Sequence, residues 1–222
     1  CICFKLKLGC KVSGMTPVYL DYNATAPLLP EAAKAMISLA NLPANPSSIH
    51  QFGRAARSQM DRARHQLVDA LGVSVHELIF TSGGTEANNL VLGNYRHILT
   101  SAIEHDAVLA ACPDAHITEV DKDGLIRLDQ LEAALEALPD ADRAKTLVSV
   151  MAANNETGVI QPIEAVADLC RAYNVACHSD MIQYLGKAPI DLNQMKLNFA
   201  SFSAHKLGGP SGVGALYCRA GQ

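Results

Sequence analysis

Residues 77–101 read "ELIFTSGGTEANNLVLGNYRHILTS". A short apolar run, Leu78 to Phe80, meets the pair Gly83-Gly84, a helix-favouring segment follows to about Tyr95, and a second short apolar run starts at His97. Each apolar run is too brief for a helix, and the segment between them is too long for a hairpin loop. The stretch therefore reads as strand, glycine turn, helix, strand, which is one βαβ unit.

Working outward, the same alternation continues. Strands are predicted at 116–120 ("HITEV"), 146–151 ("TLVSVM"), 175–180 ("VACHSD") and 199–203 ("FASFS"). Helices are predicted to start at 104–111 ("EHDAVLAA") and to cover 128–138 ("LDQLEAALEAL") and 162–173 ("PIEAVADLCRAY"). The last carries Ile163, Val166, Ala167 and Cys170 on one side. Upstream, Pro30 suits the first turn of a helix over "EAAKAMISLA", and "NLPANPSSIH" is a polar, proline-broken loop. A helix from Gln51 to a stop at Gly72 is expected to pack on the core through Phe52, Ala56, Ala63, Leu67 and Ala70. Short apolar strands alternating with amphipathic helices define the fold class as α/β, a mostly parallel sheet with helices on both faces.

Composition narrows the function classes. The 222 residues are 49% hydrophobic and 18% charged, with a formal net charge of -4. That balance, without a basic block, argues against a nucleic-acid partner, because phosphate backbones need clustered Lys and Arg. No apolar run approaches the roughly 20 residues of a spanning helix. The seven cysteines (Cys1, Cys3, Cys10, Cys112, Cys170, Cys177 and Cys218) form no C-x-x-C pair, and their odd number fits reduced thiols. No metal site is expected and a cytoplasmic location is the default. The opening "CICFKLKLGCKVSG", interrupted by Lys5, Lys7 and Lys11, does not read as a secretory signal, and with Met15 following it residues 1–14 read as an extension.

In sheets of this class ligands bind beyond the carboxyl ends of the strands. The residues there are unusually polar: Thr81 to Glu86, Glu104-His105, Asn154 to Gly158, His178, Asp180, Gln183, Ser203, His205 and Lys206. "TSGGTE" can cradle an anion, since two glycines admit the backbone and the next helix points its first N–H groups outward. Ser203 and His205 add donors. Asp180 ends an apolar strand, where a carboxylate needs a partner. Lys206 could be a plain surface lysine, yet a desolvated amine is also a nucleophile toward carbonyls. An anion cradle, a strand-end Asp and a nucleophilic Lys are the contacts that pyridoxal phosphate requires. Cys177 and His178 are not expected to form a dyad, because consecutive strand residues face opposite ways.

From about Val18 to Tyr217 the chain resembles the N-terminal part of the cysteine desulfurases, fold-type I pyridoxal-phosphate enzymes of the class-V aminotransferase branch. The stretches that carry the resemblance are "YLDYNATAPLLPEA", "NPSSIHQFGRAAR", "IFTSGGTEANNLVL", "SAIEHDAVL", "VMAANNETGVIQPI", "CHSDMIQYLGKAPID" and "SFSAHKLGGPSGVGALY". It implies that Lys206 is the covalent anchor of pyridoxal 5'-phosphate and that Asp180 meets the pyridine nitrogen. His105 would stack on the ring and serve acid/base steps, Asn155 and Gln183 would reach the phenolic oxygen, and Gly84, Thr85, Ser203 and His205 would hold the phosphate. Asn23 and Ala24, with Asn45 to His50, would lie where substrate arrives. It further implies L-cysteine as substrate, a protein that accepts sulfur or scaffolds its use, a homodimer, and a product stream toward iron–sulfur clusters or thio-cofactors.

Two departures from the family pattern matter. Ser179-Asp180-Met181 stands where many members have Val-Asp-Ala, although Asp180 and Gln183 are kept. The family also continues beyond the point equivalent to Gln222, with the rest of the large domain and a small C-terminal domain that bears the sulfur-accepting cysteine and the arginine for the substrate carboxylate. Residues 15–222 are thus expected to be an incomplete cofactor-binding large domain that does not complete turnover alone. Alternative readings are a selenocysteine lyase or another class-V aminotransferase, and a non-catalytic truncated fragment.

Overall fold

The computed structural model describes residues 17–43 and 45–221. The expected extension at 1–14, with Cys1, Cys3 and Cys10, lies outside the described residues. The strands are β1 (Leu78–Thr81), β2 (His97–Ser101), β3 (His116–Thr118), β4 (Thr146–Ser149), β5 (Ala176–Asp180), β6 (Phe199–Ser203) and β7 (Gly214–Cys218). Among them run α1 (Pro30–Ala40), α2 (Gln51–Leu71), α3 (Gly84–Leu92), α4 (Asp106–Leu109), α5 (Leu128–Glu136), α6 (Asp140–Arg143), α7 (Ile163–Ala172) and α8 (Leu192–Met195).

All seven strands join one sheet in the order β1-β7-β6-β5-β4-β2-β3. The pairs β2/β3, β2/β4, β4/β5 and β5/β6 are parallel, and β7 runs antiparallel to both neighbours. The reversal of β7 follows from its short connection: a tight return from β6 can only make an antiparallel neighbour, whereas parallel strands need a crossover. The carboxyl ends of β1, β2, β4, β5 and β6 therefore share one edge.

Residues along β4 and β6 are buried throughout, as expected of strands covered on both faces. On one face α2, α5, α7 and α8 pack through Val68, Leu71, Leu131, Leu135, Val166, Cys170 and Leu192. On the other, α3 and α4 pack through Ala87, Val91, Leu92 and Val108 against Ile98, Leu147, Phe199 and Leu216. Cys177 sits in the first cluster, and His178 bonds laterally to Ser149 and Ser201. The four described cysteines, Cys112, Cys170, Cys177 and Cys218, are free thiols.

Three expectations need correction. Of the predicted stripe of α2 only Leu67 packs on the core: Phe52 is 56% exposed, Ala63 and Ala70 are also exposed, and Ala56 is half-buried. The buried positions are Gly53, Val68 and Leu71, with Leu67 half-buried, because alanines at helical spacing carry too little apolar area to set the phase of a helix whereas Val68 and Leu71 do. The helix itself ends where predicted, at Gly72 with φ 71°. The segment "EHDAVLAA" gives a single turn, Asp106–Leu109, entered through His105, and the strand "HITEV" stops at Thr118, with Val120 making only an isolated bridge to Ile126.

Candidate active site

At the shared carboxyl edge a cavity of about 190 Å³ is lined by residues from five strand ends. Gly84 and Thr85 follow β1, His105 and Ala107 follow β2, Met151 and Asn155 follow β4, and Asp180, Ile182 and Gln183 close β5. Ser203, His205 and Lys206 follow β6. The sequence-predicted residues Gly84, Thr85, His105, Asn155, Asp180, Gln183, Ser203, His205 and Lys206 are thus brought together around one space. Asn45 and His50 are not among its lining residues. Their contacts are local: Asn45 Oδ1 accepts from the Ser47 amide at 3.0 Å, and His50 Nδ1 caps α2 by accepting from Gly53 N at 3.3 Å.

Asp180 is buried, and burial pushes its carboxyl above the ordinary range. Opposing that shift, Oδ1 accepts from the Ile182 amide at 3.0 Å and Oδ2 from Asn88 Nδ2 at 2.8 Å, with His105 and Lys206 also favouring the charged form. Asn88, on α3, was not singled out by the sequence reading. Its position in "TEANN" looks like any helix surface, and only the packing of α3 on β5 and β6 reveals it.

Lys206 is half-buried and its ammonium donates to the carbonyls of Asn23 at 2.5 Å and Ala24 at 2.9 Å. Burial lowers its proton affinity first and the nearby Lys187 second, against the pull of Asp180 and Asp21. The segment that supplies these carbonyls runs along the lysine turn. Ala26 N donates to His205 O at 2.8 Å, Leu29 N donates to Gly208 O at 2.8 Å, and Thr25 Oγ1 lies 3.2 Å from His205 Nδ1. Asn23 also bonds to Asn155 O through Nδ2 at 3.1 Å, so the predicted access residues Asn23 and Ala24 touch the lysine itself.

The turn at 154–158 is made by Asn154, whose Oδ1 accepts from the amides of Glu156 and Thr157 at 3.0 and 2.9 Å. That frees Asn155 from the turn-making role and leaves it on the cavity wall. His105 caps α4, with Nδ1 accepting from Ala107 N at 3.0 Å. Beside it, Glu104 is a buried carboxyl that the sequence reading placed only as a strand-end polar residue. Oε1 accepts from Ser101 Oγ at 2.5 Å and Met151 N at 2.8 Å, Oε2 has no partner, and burial pushes the group up to about 8.

The donor set has a definite chemistry. The first N–H groups of α3, Thr85, Ser203 and His205 suit a phosphate-like anion. At Gly84 a Cβ would fall 1.9 Å from Ile182 Cδ1, 2.9 Å from its Cγ1 and 3.6 Å from Ser203 Cβ, so any side chain there must displace Ile182. Asp180 offers a buried carboxylate to a protonated ring nitrogen, and Lys206 offers an amine with lowered proton affinity to an aldehyde. The residues present therefore fit a phosphorylated pyridine aldehyde. Among the described residues no group of three His, Cys, Asp or Glu could hold a metal ion, and no helix is long and apolar enough to cross a membrane.

Comparison with known proteins points the same way. The aminotransferase class-V family profile matches residues 18–221. Cysteine desulfurase IscS of Pectobacterium carotovorum subsp. carotovorum (strain PC1) is 41% identical over 222 residues, taking in 91% of this chain and 54% of the relative. IscS of Escherichia coli O139:H28 (strain E24377A / ETEC) is 42% identical over 223 residues with the same coverage, 91% and 54%. The chain spans about half the length of the curated relatives it matches. Among solved structures, a NifS-like protein from Rickettsia africae ESF-5 superposes with a TM-score of 0.87 at 36% identity, covering 91% of this chain and 58% of that one. A structure of SspA in complex with cysteine superposes with a TM-score of 0.82 at 33% identity, covering 92% and 62%.

Proposed function

From the premise that the chain belongs to the class-V aminotransferase family, we propose that it holds the cofactor site of a pyridoxal-phosphate-dependent cysteine desulfurase. The observation that carries this reading is the convergence of Lys206, Asp180, His105 and the Gly84-Thr85, Ser203 and His205 donors on one cavity. The family and the cysteine desulfurase names of the relatives choose among the enzymes that could use such a cavity, and the cysteine bound by the relative SspA suits the same substrate class. The substrate is L-cysteine, the products are L-alanine and a sulfur passed to an enzyme cysteine and on to an acceptor or scaffold protein, and the working unit is a cytoplasmic homodimer.

Pyridoxal 5'-phosphate, when bound, supplies an electron sink for negative charge on the carbon beside a substrate amine. Asp180, kept in place by Asn88 and the Ile182 amide, holds the proton at the pyridine nitrogen. Gly84, Thr85, Ser203 and His205 orient the phosphate through N–H and O–H donors, while Asn155 and Gln183 serve the phenolic oxygen. Lys206 would anchor the aldehyde through Nζ, which here donates to the carbonyls of Asn23 and Ala24. Lys206 Nζ and the His105 imidazole would be the groups that move protons there. The described residues account for holding the ring and moving protons.

The test is spectroscopic. The protein is purified with pyridoxal phosphate and its visible absorption is recorded before and after borohydride. A band abolished by borohydride and absent in Lys206→Ala is expected. Identical spectra for wild type and Lys206→Ala would overturn the assignment of Lys206 and leave a non-catalytic chain as the better reading.

A further inference from the structure

Lys187, in the loop after β5, makes two hydrogen bonds inside the site. Nζ donates to Gln183 Oε1 at 2.5 Å and to Asn23 Oδ1 at 3.3 Å. Gln183 Nε2 in turn donates to Asn23 O at 2.9 Å, and the same carbonyl receives Lys206 Nζ at 2.5 Å. The two lysines thus meet on opposite ends of one residue, Asn23, with Gln183 closing the circuit. Beside this circuit a second cavity of about 150 Å³ is lined by Asn23, Asn154, Gln183, Tyr184 and Lys187, and Gln183 lines the first cavity as well.

Such an arrangement is not what a surface lysine adopts by default. A free ammonium on a flexible stem stays hydrated, whereas this one gives its donors to two amide oxygens that are already committed to the cavity. We propose that Lys187 is a positioning residue for Lys206: it pins Asn23 and Gln183, fixes the loop that receives the Lys206 ammonium, and keeps a second positive charge close to that amine.

The consequence follows from like charges. The charged and titratable groups that act electrostatically on or with Lys206 are Asp180 at the end of β5, Asp21 in the N-terminal segment, His205 on its own turn and Lys187 in the loop after β5. Burial disfavours the ammonium form first and Lys187 disfavours it second, while the two aspartates favour it. The carboxylates that the site needs would hold Lys206 protonated, and Lys187 offsets them so that a larger share of the amine is neutral and nucleophilic. Lys187 itself touches neither reacting atoms nor the cradle. Because it is exposed on its outer side, salt should weaken its influence.

This inference rests on the assignment of Lys206 as the amine that meets the aldehyde, and its test is separable from that assignment. The full chain, freed of cofactor, is acetylated with trace acetic anhydride at a series of pH values, and modification of Lys206 is read by peptide mass spectrometry. In Lys187→Met the Lys206 profile is expected to move to higher pH, with several-fold slower labelling on its rising limb. In Lys187→Arg, which keeps the charge, the profile should return toward wild type. Lys187→Gln keeps a hydrogen-bond donor without the charge, folds independently of the Met variant, and should follow Lys187→Met. Unchanged profiles in Met and Gln, or an Arg variant displaced as far as they are, would overturn the proposal. The borohydride-sensitive band decides separately whether Lys206 anchors the cofactor.

Discussion

The side-chain amide of Asn88, on α3, donates to Asp180 Oδ2 at the end of β5 over 2.8 Å, and both residues are buried. In Asn88→Ala that oxygen loses the one side-chain donor it has among the described residues. A hydrogen bond to a charged group contributes about 1.5–3 kcal/mol, so the melting temperature should fall. The hydrogen bond also favours the ionised carboxyl, so its loss raises the proton affinity of Asp180 further. Cofactor should therefore dissociate faster on dialysis from Asn88→Ala than from wild type, read by loss of visible absorbance. Equal retention in the two proteins would show that Asn88 serves stability alone.

The Asn88–Asp180 pair also marks the boundary of what the sequence alone makes legible. Asp180 could be recognised because a carboxylate at the end of an apolar strand demands a partner, and Lys206 because it stands at the same edge. Their partners could not. Asn88 and Lys187 sit in stretches whose local patterns are those of an ordinary helix surface and an ordinary loop, and what makes them special is the order of strands, which periodicity does not encode. The strands themselves were readable as short apolar runs, and β7 lay in the apolar "GVGALY". Its reversed direction follows from the short connection after β6, which leaves no room for a crossover. Glu104 shows the same limit from another side: its hydrogen-bond donors are Ser101 and Met151, the second 47 residues away.

Glu104 gives a pH dependence with a definite sign. Its carboxyl is pushed from an ordinary 4.5 up to about 8, chiefly by burial. Between these values the unfolded chain releases a proton that the folded chain keeps, so the contribution of Glu104 to stability is greatest below 4.5 and declines as pH rises toward about 8. In Glu104→Gln the amide oxygen can still accept from Ser101 and Met151, but nothing titrates. Urea midpoints for this variant should decline less across that window than those of wild type. Parallel declines would show that Glu104 ionises normally in the fold.

His178 acts with the opposite sign. It lies in the sheet with Nδ1 2.8 Å from Ser149 Oγ and Nε2 2.9 Å from Ser201 Oγ, and burial drives its proton affinity down to about 3 from an ordinary 6.5. Below 6.5 the unfolded chain takes up a proton that the folded chain refuses, so this contribution to stability is lost as pH falls toward about 3. His178→Gln keeps polar atoms between the two serines and removes the titration. It should start from a lower stability at neutral pH yet lose less on acidification, measured as the change in urea midpoint across the same range. A variant that is as acid-sensitive as wild type would place the acid response elsewhere.

Gly84 separates cofactor binding from folding. A methyl group at this position would lie 1.9 Å from Ile182 Cδ1, the free end of a flexible side chain, and 3.6 Å from Ser203 Cβ. The backbone of α3 need not move, because Ile182 can rotate away. Ile182 lines the same cavity, however, so the rotation alters the space left for a ligand, and the new methyl group occupies the cradle directly. Gly84→Ala is therefore expected to weaken pyridoxal phosphate binding by well over tenfold in an absorbance titration while the melting temperature of the cofactor-free protein changes by only a few degrees. The double variant Gly84→Ala/Ile182→Ala removes the displaced side chain but not the methyl in the cradle, so it should recover only part of the affinity. Full recovery would mean that the clash with Ile182, rather than the cradle, was the cause. A large loss of cofactor-free stability in the single variant would mean that α3 itself is forced to shift.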